Sequence, residues 1–371
     1  MKIISPQTYE ITFDDVLLLP NHSDTPFSNE NVYCDPTTRV SKHLSIKLPI
    51  ISSPMSGVTE SEMAIEMHKH GGLGIIHFFM SFDDQISQVK KVKSRKCLVG
   101  ASVADLSEKG FKHCLNLAKA GVDLISLESL QADNIEVLKF VRKLRREKPL
   151  LQVSVAHVVT ADATEALIKA GASSVRVGIG GGSHCTTRLV TGVGRPQLSA
   201  VMECSAVAKK YNIPIISDTG IKYPGDIVKA LAFGASSVMI GGLLTGTDKA
   251  PGEVIKKSGD LFKFSPGNAA QKRSYSAEKM RISFSINGVK SLIKNFMGYQ
   301  VDDNKPTFLL DEGVSNFVPY KGKTKVVLEE LAMSLKRSMW YLGAKNIADL
   351  QKKARVVICS PSITHENKPR I

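Results

Sequence analysis

The stretch PIISDTGIKYPGDIVKALAFGASSVMIGG (214–242) reads as strand, turn, helix and strand. PIISDT (214–219) and SVMIGG (237–242) are short, β-branched and mostly apolar, as parallel strands covered on both faces read. PGDIVKALAFG (224–234) is helical in pattern and stops at Gly. Outward from it, the same kind of run recurs as PIISSPM (49–55), GLGIIH (72–77), LVGASV (98–103), LISLES (124–129), LQVSVA (151–156) and SVRVGI (174–179). Helical patterns fill gaps at 61–71, 82–94, 110–121, 135–148 and 196–212. Eight strands alternating with helices imply a parallel sheet. Its simplest closed form is a (β/α)8 TIM barrel, with a doubly wound open sheet as the alternative.

The 371 residues are read as one barrel domain, 1–371. After the eighth strand, 255–325 is irregular, polar and rich in Lys, Ser and Asn, so it is expected to be a mobile active-site flap. LEELAMSLKRSMWYLG (328–343) and IADLQKKARVV (347–357) supply C-terminal helices and a last strand. No apolar run reaches the ~18 residues of a membrane span, and MKIISPQTYEITFDD has no secretory h-region. Six scattered cysteines without a CxxC pair read as reduced thiols, so a cytoplasmic protein is expected. The net charge of +14 raises nucleic acid as a partner. However, KKVKSRK (90–96) and RKLRREK (142–148) fall on or just after helical stretches and read as solvated faces. No nucleic acid and no membrane are expected; a basic protein also attracts anionic nucleotides.

Barrel enzymes carry their sites on the loops at the C-terminal ends of the strands. After strand six comes GIGGGSHCTTR (178–188), where glycines let the backbone approach a ligand and Cys185 sits beside the hydroxyls of Thr186 and Thr187. A lone cysteine is most often a small buried residue, but a thiolate on this loop is a strong nucleophile. GIGGGS is a weak dinucleotide match, because Ser183 falls where the last glycine belongs. SDTGIKYPGD (217–226) and GGLLTGTDKAPGE (241–253) are the two loops that commonly hold phosphate, through the N–H groups of Gly220, Gly241 and Gly242. Asp218 suits ribose hydroxyls, or else caps a turn. His77 ends strand two toward the mouth. His68 and His70 lie two apart on a helix and share no face.

Together with TFDDVLLLP (12–20) and GVGRPQLSAV (192–201), these motifs resemble the IMP dehydrogenase / GMP reductase family over nearly the whole chain. The resemblance implies that Cys185 attacks C2 of a purine nucleoside monophosphate while hydride passes between that carbon and a nicotinamide. It implies that Thr187 and Glu312 move the proton, that Ser183, Gly220, Gly241 and Gly242 hold phosphate, and that Asp218 holds ribose. Ser53 and Met55 resemble residues near the base and nicotinamide, with Glu128 and His77 on the cofactor side. The carbonyls of Gly180, Gly182 and Cys185 match a potassium-binding loop, and a homotetramer is implied. The chain departs from the pattern at His184 (usually aliphatic), Glu128 (usually Asp), His157 (usually Asn) and SPGN (265–268).

A dehydrogenase of this family resembles its relatives in a flap Arg-Tyr pair. No Arg-Tyr dipeptide occurs here; Gly298-Tyr299 is the nearest by spacing. The chain also runs from VKSRK straight to LVGASV, where dehydrogenases usually carry an inserted regulatory domain. CTTRLVTGVGRPQLSAVMEC (185–204) looks like reductases; TGTDKAPGE and the segment around 335–357 look like bacterial dehydrogenases. Leu309 stands where a reductase has arginine. The expected activity is NADPH-dependent reductive deamination of GMP to IMP and ammonia. The alternatives are NAD-dependent oxidation of IMP to XMP, and an inactive nucleotide-binding barrel.

Overall fold

The computed structural model describes residues 9–24, 33–183, 185–257, 259–265 and 316–367. Its centre is a closed ring of eight parallel strands: β1 (Ile50–Ser52), β2 (Leu73–Ile76), β3 (Gly100–Val103), β4 (Leu124–Leu127), β5 (Val153–Val158), β6 (Ser174–Val177), β7 (Ile215–Asp218) and β8 (Ser237–Ile240). The ring closes where β8 pairs with β1 through Val238↔Ile50 and Ile240↔Ser52. Each is one of the eight apolar runs, and the barrel replaces the open-sheet alternative. Helices α1 (Ser61–Lys69), α2 (Phe82–Ser94), α3 (Glu108–Lys119), α4 (Ile135–Glu147), α5 (Ala161–Ala170), α6 (Gln197–Lys210), α7 (Pro224–Ala232) and α8 (Thr324–Tyr341) surround it, α8 lying between α7 and α1.

The helices pack by spacing. In α4, Val137, Phe140, Val141 and Leu144 fall on one face and are buried, while Arg142 and Arg146 are exposed. In α2, Val89 and Val92 are buried and Lys90 and Lys91 exposed. These four side chains face solvent as expected, whereas Arg145 is half-buried and donates to Gly171 O and Ser173 Oγ, and Lys93 pairs with Asp123.

Inside the ring, Ile51, Leu73, Ile75, Leu124, Ile216 and Met239 form one cluster with Val40 and Ile46. Burying each such side chain stabilises the fold by about 1.5–3 kcal/mol. Val40 and Ile46 belong to a hairpin, Thr38–Ser41 with Leu44–Ile46, that sequence reading did not find. Lys42 N donates to Ser173 O and Thr38 Oγ1 to Ser236 O at 2.8 Å, each acceptor just ahead of a barrel strand. The hairpin therefore plugs the N-terminal end and leaves the C-terminal end as the open mouth.

The segment 255–325, expected to be irregular, is in part a sheet. Val254–Lys257, Asp260–Ser265 and Asn316–Pro319 pair antiparallel, and α8 already begins at Thr324. These strands are short and their burial does not follow hydrophobicity, since Lys263 and Ser265 are buried while Val254, Leu261 and Phe317 are exposed, so no apolar run marks them. Residues 266–315 lie outside the described residues. The last strand, Val356–Ile358, pairs with Val16–Leu18 of the TFDDVLLLP segment. No helix among the described residues is long and apolar enough to cross a membrane.

Candidate active site

The loop after β6 is built on glycines that leave room for neighbours. At Gly178 (φ +145°) a Cβ would lie 1.9 Å from Asp218 O, so only glycine lets this loop cross the end of β7. Arg188 then clamps the loop: Nε donates to Ile179 O at 3.0 Å and Nη2 to Arg195 O at 2.5 Å, with its stem against Gly180 and Gly194. Inside the clamp, Cys185 N donates to Gly182 O at 3.0 Å. The half-buried Cys185 thiol donates to Thr187 Oγ1 at 3.1 Å, where a short helix, Thr187–Thr191, begins. A thiol bonded to a hydroxyl has a route for its proton, and the thiolate so formed is a nucleophile.

Two strand ends meet beside this loop. A Cβ on Gly241, after β8, would lie 2.8 Å from Ser53 Oγ and 3.1 Å from Met55 Sδ, both after β1. A Cβ on Gly242 would lie 3.3 Å from Ser183 Oγ. Ser53, Met55, Ser183, Gly241 and Gly242 therefore line one cradle. Ser53 Oγ is buried with no hydrogen-bond partner, which costs about 1–3 kcal/mol unless something else satisfies it. Lys321 Nζ donates to Gly242 O at 2.5 Å, and burial pushes its ammonium pKa down.

On the next loop, Thr219 (φ +96°) and Gly220 (φ +81°) make a left-handed turn. A Cβ on Gly220 would lie 3.1 Å from Phe13 Cε2. Lys229 Nζ donates to Phe13 O at 2.8 Å, so the TFDDVLLLP segment braces the loop from outside. Gln197, at the start of α6, donates from Nε2 to Val177 O at 2.7 Å and to Ser217 Oγ at 3.1 Å, tying β6 to β7.

A buried ionic group lies at the same mouth. Arg176, in the middle of β6, donates from Nε and Nη2 to Asp218 Oδ2 at 2.9 and 2.6 Å. Its Nη1 donates to Ser126 Oγ at 2.8 Å and pairs with Glu128 Oε1. His157 Nε2 lies 3.1 Å from Asp218 Oδ2 and its Nδ1 lies 3.0 Å from Ser129 O. Side-chain exposure is 3 % for Arg176, 9 % for Asp218, 11 % for Glu128 and 25 % for His157. Burial alone would raise the Asp218 carboxyl, but Arg176 and His157 hold it far below the usual carboxylate range.

The structure thus joins Cys185 to Thr187, Ser53 and Met55 to Gly241, Ser183 to Gly242, and Asp218 to Glu128. Glu128, expected on the cofactor side, spends Oε1 on Arg176 and Ser126. His77 is buried at the end of β2; its Nδ1 accepts from Phe79 N at 3.0 Å and its Nε2 lies 3.5 Å from Glu60 Oε1. Glu312, His184, Gly298, Tyr299, Leu309 and 266–268 lie outside the described residues. Sequence reading passed over Arg176 and Gln197. The signal for Arg176 was present: an arginine inside an apolar strand run stays buried only when paired.

A family model described as "IMP dehydrogenase / GMP reductase domain" matches residues 10–370. The inosine-5'-monophosphate dehydrogenase of Borreliella burgdorferi is 34% identical, covering 97% of this chain and 96% of the relative. That of Cryptosporidium parvum is 34% identical over 96% and 94%. That of Aquifex aeolicus is 31% identical over 94% and 92%, in an alignment of 475 positions that includes segments this chain lacks. All three relatives carry the dehydrogenase name, which favours the oxidation of IMP over the reductase expected from the sequence.

Proposed function

Because the chain belongs to the IMP dehydrogenase / GMP reductase family, we propose that it oxidises IMP to XMP with NAD, through a covalent link between Cys185 and C2 of the base. The observation that carries this reading is the Cys185 thiol bonded to Thr187 Oγ1 at 3.1 Å on a glycine loop beside the cradle. Cys185 Sγ gives its proton to Thr187 Oγ1 as the threonine hydroxyl passes its own to Glu312, the partner the resemblance gives it. Sγ then forms a bond to C2, and C2 gives up its hydrogen with the electron pair. NAD, when bound, supplies the acceptor for that hydride. Water adds its oxygen at C2, the C–S electrons return to Sγ, and XMP leaves with one proton released.

The residues present fit a nucleotide. Ser53 Oγ is buried, unpartnered and aimed at a place that a side chain on Gly241 would fill. Gly242 and Ser183 continue that cradle as phosphate contacts, with Gly220 on the neighbouring loop. Asp218 accepts from the ribose hydroxyls. Met55 borders the base, and Glu128 and His77 are assigned to the cofactor side. Potassium held by the carbonyls of Gly180, Gly182 and Cys185 would act on the same turn that places the thiol, since Gly182 O accepts from Cys185 N. A homotetramer and a cytoplasmic location complete the proposal.

A second reading has its own support. The sequence has no Arg-Tyr dipeptide to supply the flap base, and 185–204 looks like reductases. In that reading Cys185 adds to C2 of GMP, the amino group leaves as ammonia, and NADPH, when bound, would supply the hydride that C2 takes up. Absorbance in the nicotinamide band separates the two. NAD reduced only with IMP supports the dehydrogenase; NADPH oxidised only with GMP refutes it in favour of the reductase. Silence with both pairs would refute both readings.

A further inference from the structure

We propose that His157 is a positioning residue, held as an imidazolium, that fixes Asp218 so that one carboxylate oxygen is saturated and the other meets the sugar of the nucleotide. This deepens the function proposed above and rests on it for the identity of the ligand.

Both ring nitrogens of His157 face acceptors: Nδ1 faces Ser129 O at 3.0 Å and Nε2 faces Asp218 Oδ2 at 3.1 Å. A neutral imidazole carries one N–H and satisfies one of them; only the doubly protonated ring donates to both. The neutral tautomer with its proton on Nδ1 would set a bare lone pair 3.1 Å from a carboxylate oxygen. In exchange it would gain only a 3.5 Å contact from Arg176 Nη2. The opposite tautomer would face Ser129 O with a lone pair.

Charge count agrees. The groups facing the imidazole come from three strands and their ends: Asp218 from β7, Arg176 from β6 and Glu128 from just beyond β4. With His157 charged, two cations meet two carboxylates. With His157 neutral, the buried group keeps an uncompensated negative charge, which is costly out of water. Burial and Arg176 oppose protonation of His157, while Asp218 and Glu128 favour it and prevail, so its pKa lies above the ordinary 6.5.

Asp218 Oδ2 accepts from Arg176 Nε, Arg176 Nη2 and His157. Oδ1 has no hydrogen-bond partner among the described residues and is the oxygen left for hydroxyl donors. Loss of the His157 proton leaves Oδ2 facing a lone pair, so the carboxylate turns and the sugar contact weakens. The sign follows: a raised pKa means the contact is intact below it and is lost as pH rises through it. Asparagine, the usual residue here by the family resemblance, donates one hydrogen bond without titrating.

Two measurements test this. IMP is titrated calorimetrically into the wild-type protein and into His157→Asn and His157→Gln, from about pH 6.5 to about pH 9. The IMP phosphate titrates equally for all three and cancels. The dissociation constant of the wild type should rise about tenfold across the range, the size of one lost charge-assisted hydrogen bond. Both variants should follow only the titration of IMP itself, so the tenfold rise is read in the ratio of the wild-type constant to theirs. Separately, 15N spectra of histidine-labelled protein, assigned with His157→Asn, read the ring directly and should show both nitrogens protonated at neutral pH. A neutral His157 there, or variants with the wild-type pH profile, overturns the proposal. No IMP binding by any of the proteins at any pH instead refutes the function proposed above, and the sugar contact falls with it.

Discussion

Arg176→Met tests the buried ionic group most directly. The guanidinium is 3 % exposed and serves three partners at once: Asp218 Oδ2, Glu128 Oε1 and Ser126 Oγ. Methionine fills similar space without charge and leaves two carboxylates, 9 % and 11 % exposed, with only His157 to compensate them. Removing one partner of a buried pair costs about 3–5 kcal/mol, and little screening is available at these exposures. Urea or thermal unfolding should show a loss of that size at about pH 7. The pH dependence carries a sign. In the wild type Asp218 is depressed below its ordinary 3.8, so its contribution is present above that value and lost as pH falls through the folded one. In the variant the arginine charge is gone and burial pushes the Asp218 carboxyl back up, so protons are taken up on folding. The penalty should therefore shrink between about pH 7 and about pH 5. Adding Glu128→Gln and Asp218→Asn should recover most of the loss, because both carboxylates are then neutral and His157, without them, is buried as the neutral ring. A loss under about 1 kcal/mol, or a penalty independent of pH, would refute the assignment of these residues as one buried group.

The thiol and the cradle give the remaining tests. Cys185→Ala should lower turnover by at least about a thousandfold with an unchanged unfolding midpoint, since the thiol makes one side-chain hydrogen bond at a half-buried position. Retained turnover removes it from the chemistry. Thr187→Val should cost about a hundredfold in kcat with little change in the IMP dissociation constant, the pattern of a lost proton relay; an effect confined to binding argues against that role. Ser53→Ala removes a buried hydroxyl that has no partner, so the ligand-free protein should be at least as stable while IMP binds more weakly. Equal affinity would mean that the hydroxyl does not face the ligand. Gly241→Ala puts a Cβ 2.8 Å from Ser53 Oγ and should fold but bind IMP poorly; wild-type affinity would place the nucleotide elsewhere.

The barrel was legible because each of its strands is buried on both faces. A run such as SVMI at 237–240 shows no polar alternation, and Gly or Pro breaks it from its helix. The plugging hairpin was not legible. TRVS and LSI are short and mixed, and only contact with Ser173 and Ser236 gives them a place. The sheet built from Asp260–Ser265 was hidden for the same reason. At the site, Cys185 and Thr187 lie two residues apart, so their loop displays the pair. The link from Glu128 to Arg176 and Asp218 spans three strands, and Gln197 ties two of the same three together from a helix start. Such groups are set by where strand ends meet on the ring, which periodicity does not encode. His157 stood out only as a departure from a family pattern; its two facing acceptors are what give the departure a physical meaning.

These contacts also make the thiol and the sugar site one mechanical unit. The loop carrying Cys185 leaves β6 one residue after Val177, and the backbone of Gly178 passes so close to Asp218 O that no Cβ fits. Three residues on, a Cβ at Gly181 would meet Thr219 Oγ1 at 2.6 Å, so the two loops touch twice within four residues. Arg176 approaches from the same strand and fixes the Asp218 side chain, while Gln197 bonds the backbones of both strands from behind. The position of Cys185 relative to a bound base is therefore set through β7 as much as through its own loop. A shift of one strand end would move together the carboxylate that we assign to the sugar and the sulfur that we assign to C2. Gly178 and Gly181 of RVGIGGGS are then required by contact between the loops after strands six and seven, independently of any phosphate they approach.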